Sequence, residues 1–307
     1  MCRDKNGFIN LNKLENYREK GEVVEGSHAK EWYNVDGCRF LFKEYNDILP
    51  AFGEVLYYNV GKSCGVDCAE YDFAIYNGVI GTISYDFLEK NEVYYNFLEL
   101  IAKFSDTKFT LDEIVDNRDL LVIHNNKYNN LMSIKELLND LFDVNDEDRE
   151  EMEIELVKKF CLDTVFWHKD RNLWNYGAII NELTDQVRLA PAYDNSYVLC
   201  LEKGEKYIES LIVSLITGER VDGFEISENS LNEEISDDNS LNKLIEFYCG
   251  CDEKKQELIE SILNDMDSQY EAERLCEKYK IGDIAKLWIK AVLNYRRITI
   301  LNSIKNV

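Results

Sequence analysis

The chain has 307 residues, 45% hydrophobic and 31% charged, a composition that excludes a disordered chain and allows one large or two modest lobes with real cores. Its formal charge of −24 excludes a reader of phosphate backbones, which needs a basic stripe or patch to release counterions, so no direct nucleic-acid partner is expected. No apolar run reaches the length of a membrane span and the polar start is no signal peptide, so the expected location is the cytoplasm, with export as an effector left open. Nine cysteines, an odd number without paired spacings, read as free thiols. The close pairs Cys64/Cys68 and Cys249/Cys251 have no His or Cys company at zinc-site spacing.

In chain order, Glu22 to Glu25 leads into the turn Gly26-Ser27-His28-Ala29-Lys30, and the chain returns through Glu31-Trp32-Tyr33. Such a turn can lay backbone N–H groups over a phosphate. Asp36-Gly37 is a hairpin signal, and Cys38 to Lys43 reads as a strand. Pro50 near the start and Gly61 at the stop frame a helix, and Glu54, one turn in, is expected to reach back to Lys43. Strands over 70–76 and 79–87 are joined by an Asn77-Gly78 turn. Beyond Phe87 the character becomes helical. The fold expected is α+β and bilobal: a small β-rich lobe over 1–90 and a larger, mostly helical lobe over 91–307. A nucleotide lying between them would meet the backbone around Ser84, Tyr85 and Phe87.

Residues 93–150 read as mostly helical, with Asp143 to Asp148 as an acidic connector and His124 as structural. From Glu151 a helix gathers Ile154, Val157, Phe160, Cys161, Thr164 and Val165 on one face and runs into a loop at His168. Residues 176–180 and 187–192 read as a hairpin turning at 181–186. Further on, 208–216 is helical and 218–239 is an acidic connector over the cleft or to solvent. Ile281, Ile284, Trp288, Val292 and Tyr295 are expected on the core face of a terminal helix.

The hairpin matters because its open ends carry Asn175 and Asp194, and paired Cα atoms in an antiparallel ladder lie about 4.5–5.5 Å apart. A gap of nineteen residues becomes a contact. Asp170, on the loop before the first strand, is free to face the same space. Phosphoryl transfer asks a protein for a carboxylate beside the attacking hydroxyl and hard oxygen ligands for Mg²⁺. Asp170 fits the first role; Asn175 and Asp194 fit the second. His168 is expected to hold the loop and Trp174 to pack it.

The run Asp170-Arg171-Asn172-Leu173-Trp174-Asn175-Tyr176-Gly177, followed by Leu189-Ala190-Pro191-Ala192-Tyr193-Asp194-Asn195, resembles the catalytic segment of HipA-like and CtkA-type serine/threonine kinases, and more distantly phosphatidylinositol kinases. The resemblance is strong over 160–198 and extends over 22–87. It implies an ATP- and Mg²⁺-dependent protein kinase, with Asp170 as catalytic aspartate, Asn175 and Asp194 as magnesium ligands and Lys43 as the phosphate-binding lysine. It also implies that Gly26, Ser27, His28 and Lys30 belong to the loop over ATP. In that family a loop serine can be autophosphorylated, which singles out Ser27. Two departures stand out: Asn172 replaces a frequent histidine and Ser196 a frequent glycine. The extra N-terminal subdomain of full-length HipA toxins is not evident, so an antitoxin-like partner stays open. Two other readings compete: a pseudokinase that only holds nucleotide, and a small-molecule or lipid kinase on the same scaffold.

Overall fold

Two hairpin turns shape the first part of the chain, because Asp36-Gly37 and Asn77-Gly78 take the positive φ values that tight antiparallel connections require (52° and 83°; 50° and 83°). The computed structural model describes residues 3–14, 17–19, 29–104, 146–217 and 239–306, with positions 136, 138, 139 and 142. Loop residues Gly26, Ser27 and His28, together with His124 and the connector over 218–238, lie outside the described residues.

Strands β1 (Ile9–Asn10), β2 (Lys30–Val35), β3 (Cys38–Tyr45), β4 (Tyr71–Tyr76) and β5 (Val79–Tyr85) form one sheet in the order β1-β4-β5-β3-β2. The register sorts its side chains. Trp32, Leu41, Ser84 and Tyr71 form one rung, and Lys30, Lys43, Thr82 and Phe73 the next. Alternation then sends Tyr33, Phe40, Phe42, Ala74 and Ile83 to the opposite face, where they bury with Ile9 and Leu11 as a separate small core. The rung bearing Lys43 thus faces inward, toward helix α1 (Ile48–Ser63), which Asp47 caps by accepting from Leu49 N–H at 2.9 Å.

A second sheet has the order β6-β7-β8: β6 (Glu92–Asn96), β7 (Gly177–Asn181) and β8 (Val187–Leu189). Around it lie α2 (Phe97–Phe104), α3 (Asp146–Val165), α4 (Glu205–Thr217), α5 (Asn239–Gly250), α6 (Glu253–Asp265), α7 (Ser268–Tyr279) and α8 (Asp283–Lys305). One continuous core runs from α1 through α3 to α8. The architecture is the expected α+β one, with the strand-rich part first and the helical part after it. No described helix is long and apolar enough to cross a membrane.

Four local expectations are corrected. Gly61 is no helix stop: it lies inside α1, where an added Cβ would meet Leu162 at 2.9 Å. Residues 92–96 form a strand, because pairing with β7 outweighs the helical character read there. Helix α3 starts at Asp146, since acidic residues suit a helix N-terminus. Tyr295 is exposed, and the buried stripe of α8 runs through Ala285, Trp288, Ile289, Val292, Arg296 and Ile300. Cys64, Cys68, Cys249 and Cys251 are free thiols, as expected.

Gly177 opens β7, the middle strand of the second sheet, and a Cβ there would sit 2.5 Å from the Tyr95 carbonyl oxygen. Gly177→Ala is therefore expected to destabilise the fold by about 1–3 kcal/mol in denaturant melts. Gly250→Ala, where an added Cβ meets nothing within 4 Å, serves as the control and should leave stability nearly unchanged.

Candidate active site

Lys43 is buried, and a buried ammonium persists only with opposite charge around it. Its Nζ donates to Glu54 Oε1 at 3.2 Å and to Asp194 Oδ1, with Ser196 Oγ at 3.4 Å. Burial alone would lower its pKa, but Glu54, Tyr45 and Asp194 hold it well above the usual lysine value. Thr82 fixes Glu54 in turn, its hydroxyl donating to Oε2 at 2.5 Å. The expected reach from helix to strand is made.

The loop from His168 to Asn175 is built on a second buried pair. Arg171 donates through Nε and Nη2 to both oxygens of Asp163 at 2.9 and 2.8 Å. The same guanidinium donates to the Asn175 carbonyl at 3.2 Å, the Tyr193 carbonyl at 2.8 Å and Asn195 Oδ1 at 2.6 Å. It therefore ties helix α3, the loop and both open ends of the hairpin. Asp163 also accepts from the hydroxyls of Tyr57 at 2.7 Å and Tyr176 at 3.1 Å. Although burial opposes ionisation, Arg171 and His168 keep its pKa low.

His168 fastens the loop on its other side. Asp170 N–H donates to Nδ1 at 3.3 Å, so Nδ1 carries no proton and Nε2–H faces the Asp194 carbonyl at 3.3 Å. The ring is a neutral imidazole. Burial first, then the Arg171 charge, lower its pKa to about 3.

Asp194 has a left-handed backbone (φ 54°), a conformation that Asp tolerates better than most residues. Its N–H donates to Tyr71 Oη at 3.0 Å. Two further ladder bonds hold the strand just before it, Ala69 N–H to Ala192 O and Ala192 N–H to Asp67 O, both 2.9 Å. Burial would raise the carboxyl, but Lys43, then Lys30 and His168, bring its pKa down to about 2.

These groups open onto a cleft of about 830 Å³, lined among others by Lys30, Lys43, Glu54, Asn175 and Asp194. Ser84, Tyr85 and Phe87 line it, as do Trp32, Tyr71, Tyr94 and Tyr193. Trp174 lines it too, beyond the loop packing expected of it. Asp170 is absent from the lining but adjoins it: Asn175 Nδ2 donates to its carbonyl at 2.5 Å and Asn172 Nδ2 to Oδ1 at 3.1 Å. Burial and the Asp194 charge raise the Asp170 pKa. Lys30 stands opposite Lys43 in the β2–β3 register, and burial, with Lys43 beside it, lowers its pKa against the pull of Asp194.

The departures from the kinase pattern have places. Asn172 also accepts from Trp174 N–H at 2.9 Å, so it braces the loop. Ser196 is fully buried beside Lys43. Arg171, Asp163 and Tyr71 were not legible as site residues. The only hint was an acid on the apolar stretch of a helix eight residues before an arginine.

The donor set suits a hard divalent cation. The Asn175 amide nitrogen is turned to Asp170, which leaves its oxygen to offer, and the Asp194 carboxylate is ionised. Among the described residues no group of three or more His, Cys, Asp or Glu gathers for a metal. Two protein oxygens, with water and phosphate completing the shell, are the usual complement for Mg²⁺ rather than Zn²⁺.

No protein-family model matches the chain, and no curated protein matches it in sequence. Its fold is nevertheless that of a kinase: the proinflammatory kinase CtkA of Helicobacter pylori superposes with a TM-score of 0.66 at 13% identity, over 97% of this chain and 98% of that one. HipA of Shewanella oneidensis, from its complex with HipB and operator DNA, gives 0.40 at 12% identity over 96% and 69% of the two chains. An ethanolamine kinase of Plasmodium vivax gives 0.26 at 13% identity over 94% and 83%. The chain thus shares the fold of the CtkA kinase.

Two outcomes follow. Asp163→Ala strands the buried guanidinium and should cost about 3–5 kcal/mol in denaturant melts. Below pH 6.5 the unfolded chain protonates its histidine while folded His168 does not, so unfolding takes up protons and stability falls with pH, by up to about 1.4 kcal/mol per unit from this group. His168→Gln should flatten the pH dependence of Tm between pH 6.5 and 5.

Proposed function

We propose that this chain is an ATP- and magnesium-dependent kinase that phosphorylates Ser or Thr hydroxyls of proteins, with Ser27 as a site of self-modification. The observation that carries the reading is the convergence of Lys43, Glu54, Asn175 and Asp194 on one cleft, beside Asp170, within a kinase fold. In this reading residues 1–90 form the nucleotide-binding lobe and 91–307 the lobe carrying the catalytic loop. Gly26, Ser27 and His28 belong to the loop over the phosphates, Lys30 at the start of β2 lines the cleft rather than the loop, and Ser84, Tyr85 and Phe87 form the wall beside the base.

Lys43, fixed by Glu54, binds the phosphates. Asn175 and Asp194 are the residues to hold Mg²⁺, which when bound neutralises charge on the transferring group. Asp170 orients the acceptor hydroxyl and takes its proton. Its raised pKa supports that role, since a general base works best with a pKa drawn toward the working pH. Asn172 and Asn175 hold its carboxylate and carbonyl, so the base is positioned before an acceptor arrives.

The test is transfer from γ-labelled ATP with Mg²⁺ to the chain itself and to lysate proteins. Label on Ser or Thr, reduced about 10²–10⁴-fold by Asp170→Ala and abolished by Asp194→Ala, is the expected result. Binding of ATP without transfer to any acceptor would leave a nucleotide-binding module. Transfer to small alcohols alone would replace the protein acceptor with a metabolite.

A further inference from the structure

Resting on the kinase reading, we propose that Tyr71 is a phosphate-contacting residue of the nucleotide site, its hydroxyl donating to a phosphate oxygen of the bound nucleotide while it holds Asp194 in place.

A backbone N–H only donates, so in the 3.0 Å contact between Asp194 N and Tyr71 Oη the tyrosine is the acceptor. Its own O–H is left to donate elsewhere. Among the described residues no hydrogen bond takes that proton, although the side chain is nearly completely buried. A buried hydroxyl with an unused proton costs free energy unless something arrives to accept it.

The direction in which an acceptor would arrive is given by the sheet. Tyr71 shares its rung with Trp32, Leu41 and Ser84, all lining the cleft, and stands one rung from Lys43. Around the phenol lie the charges of Glu54, Lys43 and Asp194. Glu54 already accepts from Lys43 and Thr82, and Asp194 accepts from Lys43. A tyrosine hydroxyl is a neutral, protonated donor near neutral pH. A neutral donor beside a lysine, in a cleft, with no acceptor among the described residues, suits the oxygen of a phosphate.

The second half of the role is positional. Tyr71 lies two residues beyond the segment 67–69 that ladders with Ala192, and its hydroxyl meets Asp194, where the backbone turns left-handed. One hydroxyl thus joins the phosphate site to the conformation of the metal-binding carboxylate.

The experiment compares the full chain with Tyr71→Phe by calorimetric binding of a non-hydrolysable ATP analogue with Mg²⁺, and of adenosine. A hydrogen bond to a charged group corresponds to about 1.5–3 kcal/mol, so the analogue should bind roughly ten- to a hundredfold more weakly to the variant while adenosine binds equally. Equal analogue binding overturns the assignment, and equal loss of adenosine makes Tyr71 a structural residue only. A crystal structure of the unaltered chain with the same analogue and Mg²⁺ decides independently of the variant's folding: the hydroxyl within hydrogen-bond distance of a phosphate oxygen supports the proposal, and a hydroxyl turned from the phosphates overturns it. If the unaltered chain binds neither the analogue nor adenosine, the kinase reading fails along with the inference. Binding by the unaltered chain without a Tyr71 contact removes the inference alone.

Discussion

The geometry of the site depends on one buried ion pair, Arg171 with Asp163. Removing two charges from water is unfavourable, and only near-complete hydrogen bonding in a good geometry offsets it. Here the guanidinium meets both carboxylate oxygens, two backbone carbonyls and the Asn195 amide, while two tyrosine hydroxyls complete the carboxylate. Lysine could not span these partners, because its donors radiate from a single nitrogen. The pair does more than stabilise. By gripping Asn175 and Tyr193 through their carbonyls, it ties the loop that carries Asn175 to the segment that leads into Asp194.

Asp194 is then positioned by groups from both halves of the chain. Lys43 and Tyr71 reach it from the N-terminal sheet, and His168 meets its carbonyl from the loop after α3. A left-handed residue outside glycine persists where its surroundings over-determine it. With the backbone fixed in this way, the ion pair with Lys43 holds the carboxylate side chain. The electrostatic consequence is local: the same lysine that holds Asp194 ionised is itself kept charged by Glu54.

What the sequence disclosed and what it withheld divide along physical lines. Asp-Gly and Asn-Gly turns, the period-two strands and the hairpin over 177–189 are local consequences of φ preference and alternation, and they were legible. The spacing around Asp170, Asn175 and Asp194 was legible because a hairpin converts separation into contact. Strand β6 was not, since its state is set by pairing with β7, eighty residues on, and no local periodicity encodes that. Tyr71 was read only as part of a strand, for nothing near it in the sequence points to Asp194. Lys159 is the same kind of case. It is fully buried on α3 and donates to the Ala190 carbonyl at 2.6 Å, yet in a linear pattern a lysine reads as surface.

A formal charge of −24 speaks against binding a long polyanion, yet a nucleotide meets only the cleft. There Lys30, Arg39 and Lys43 face Glu54, Asp86, Glu99 and Asp194, and Arg39 is already paired with Asp86 and Glu19 at 3.1 Å. The wall is therefore not a basic patch on which phosphates would settle by charge alone. On the kinase reading, phosphate binding must come from a divalent cation on Asn175 and Asp194, from Lys43, and from neutral donors such as the Tyr71 hydroxyl. Affinity for the phosphate chain should then depend on the cation far more than in a site built from arginines and lysines. The acidic balance of the chain and a phosphate-handling site are compatible for that reason.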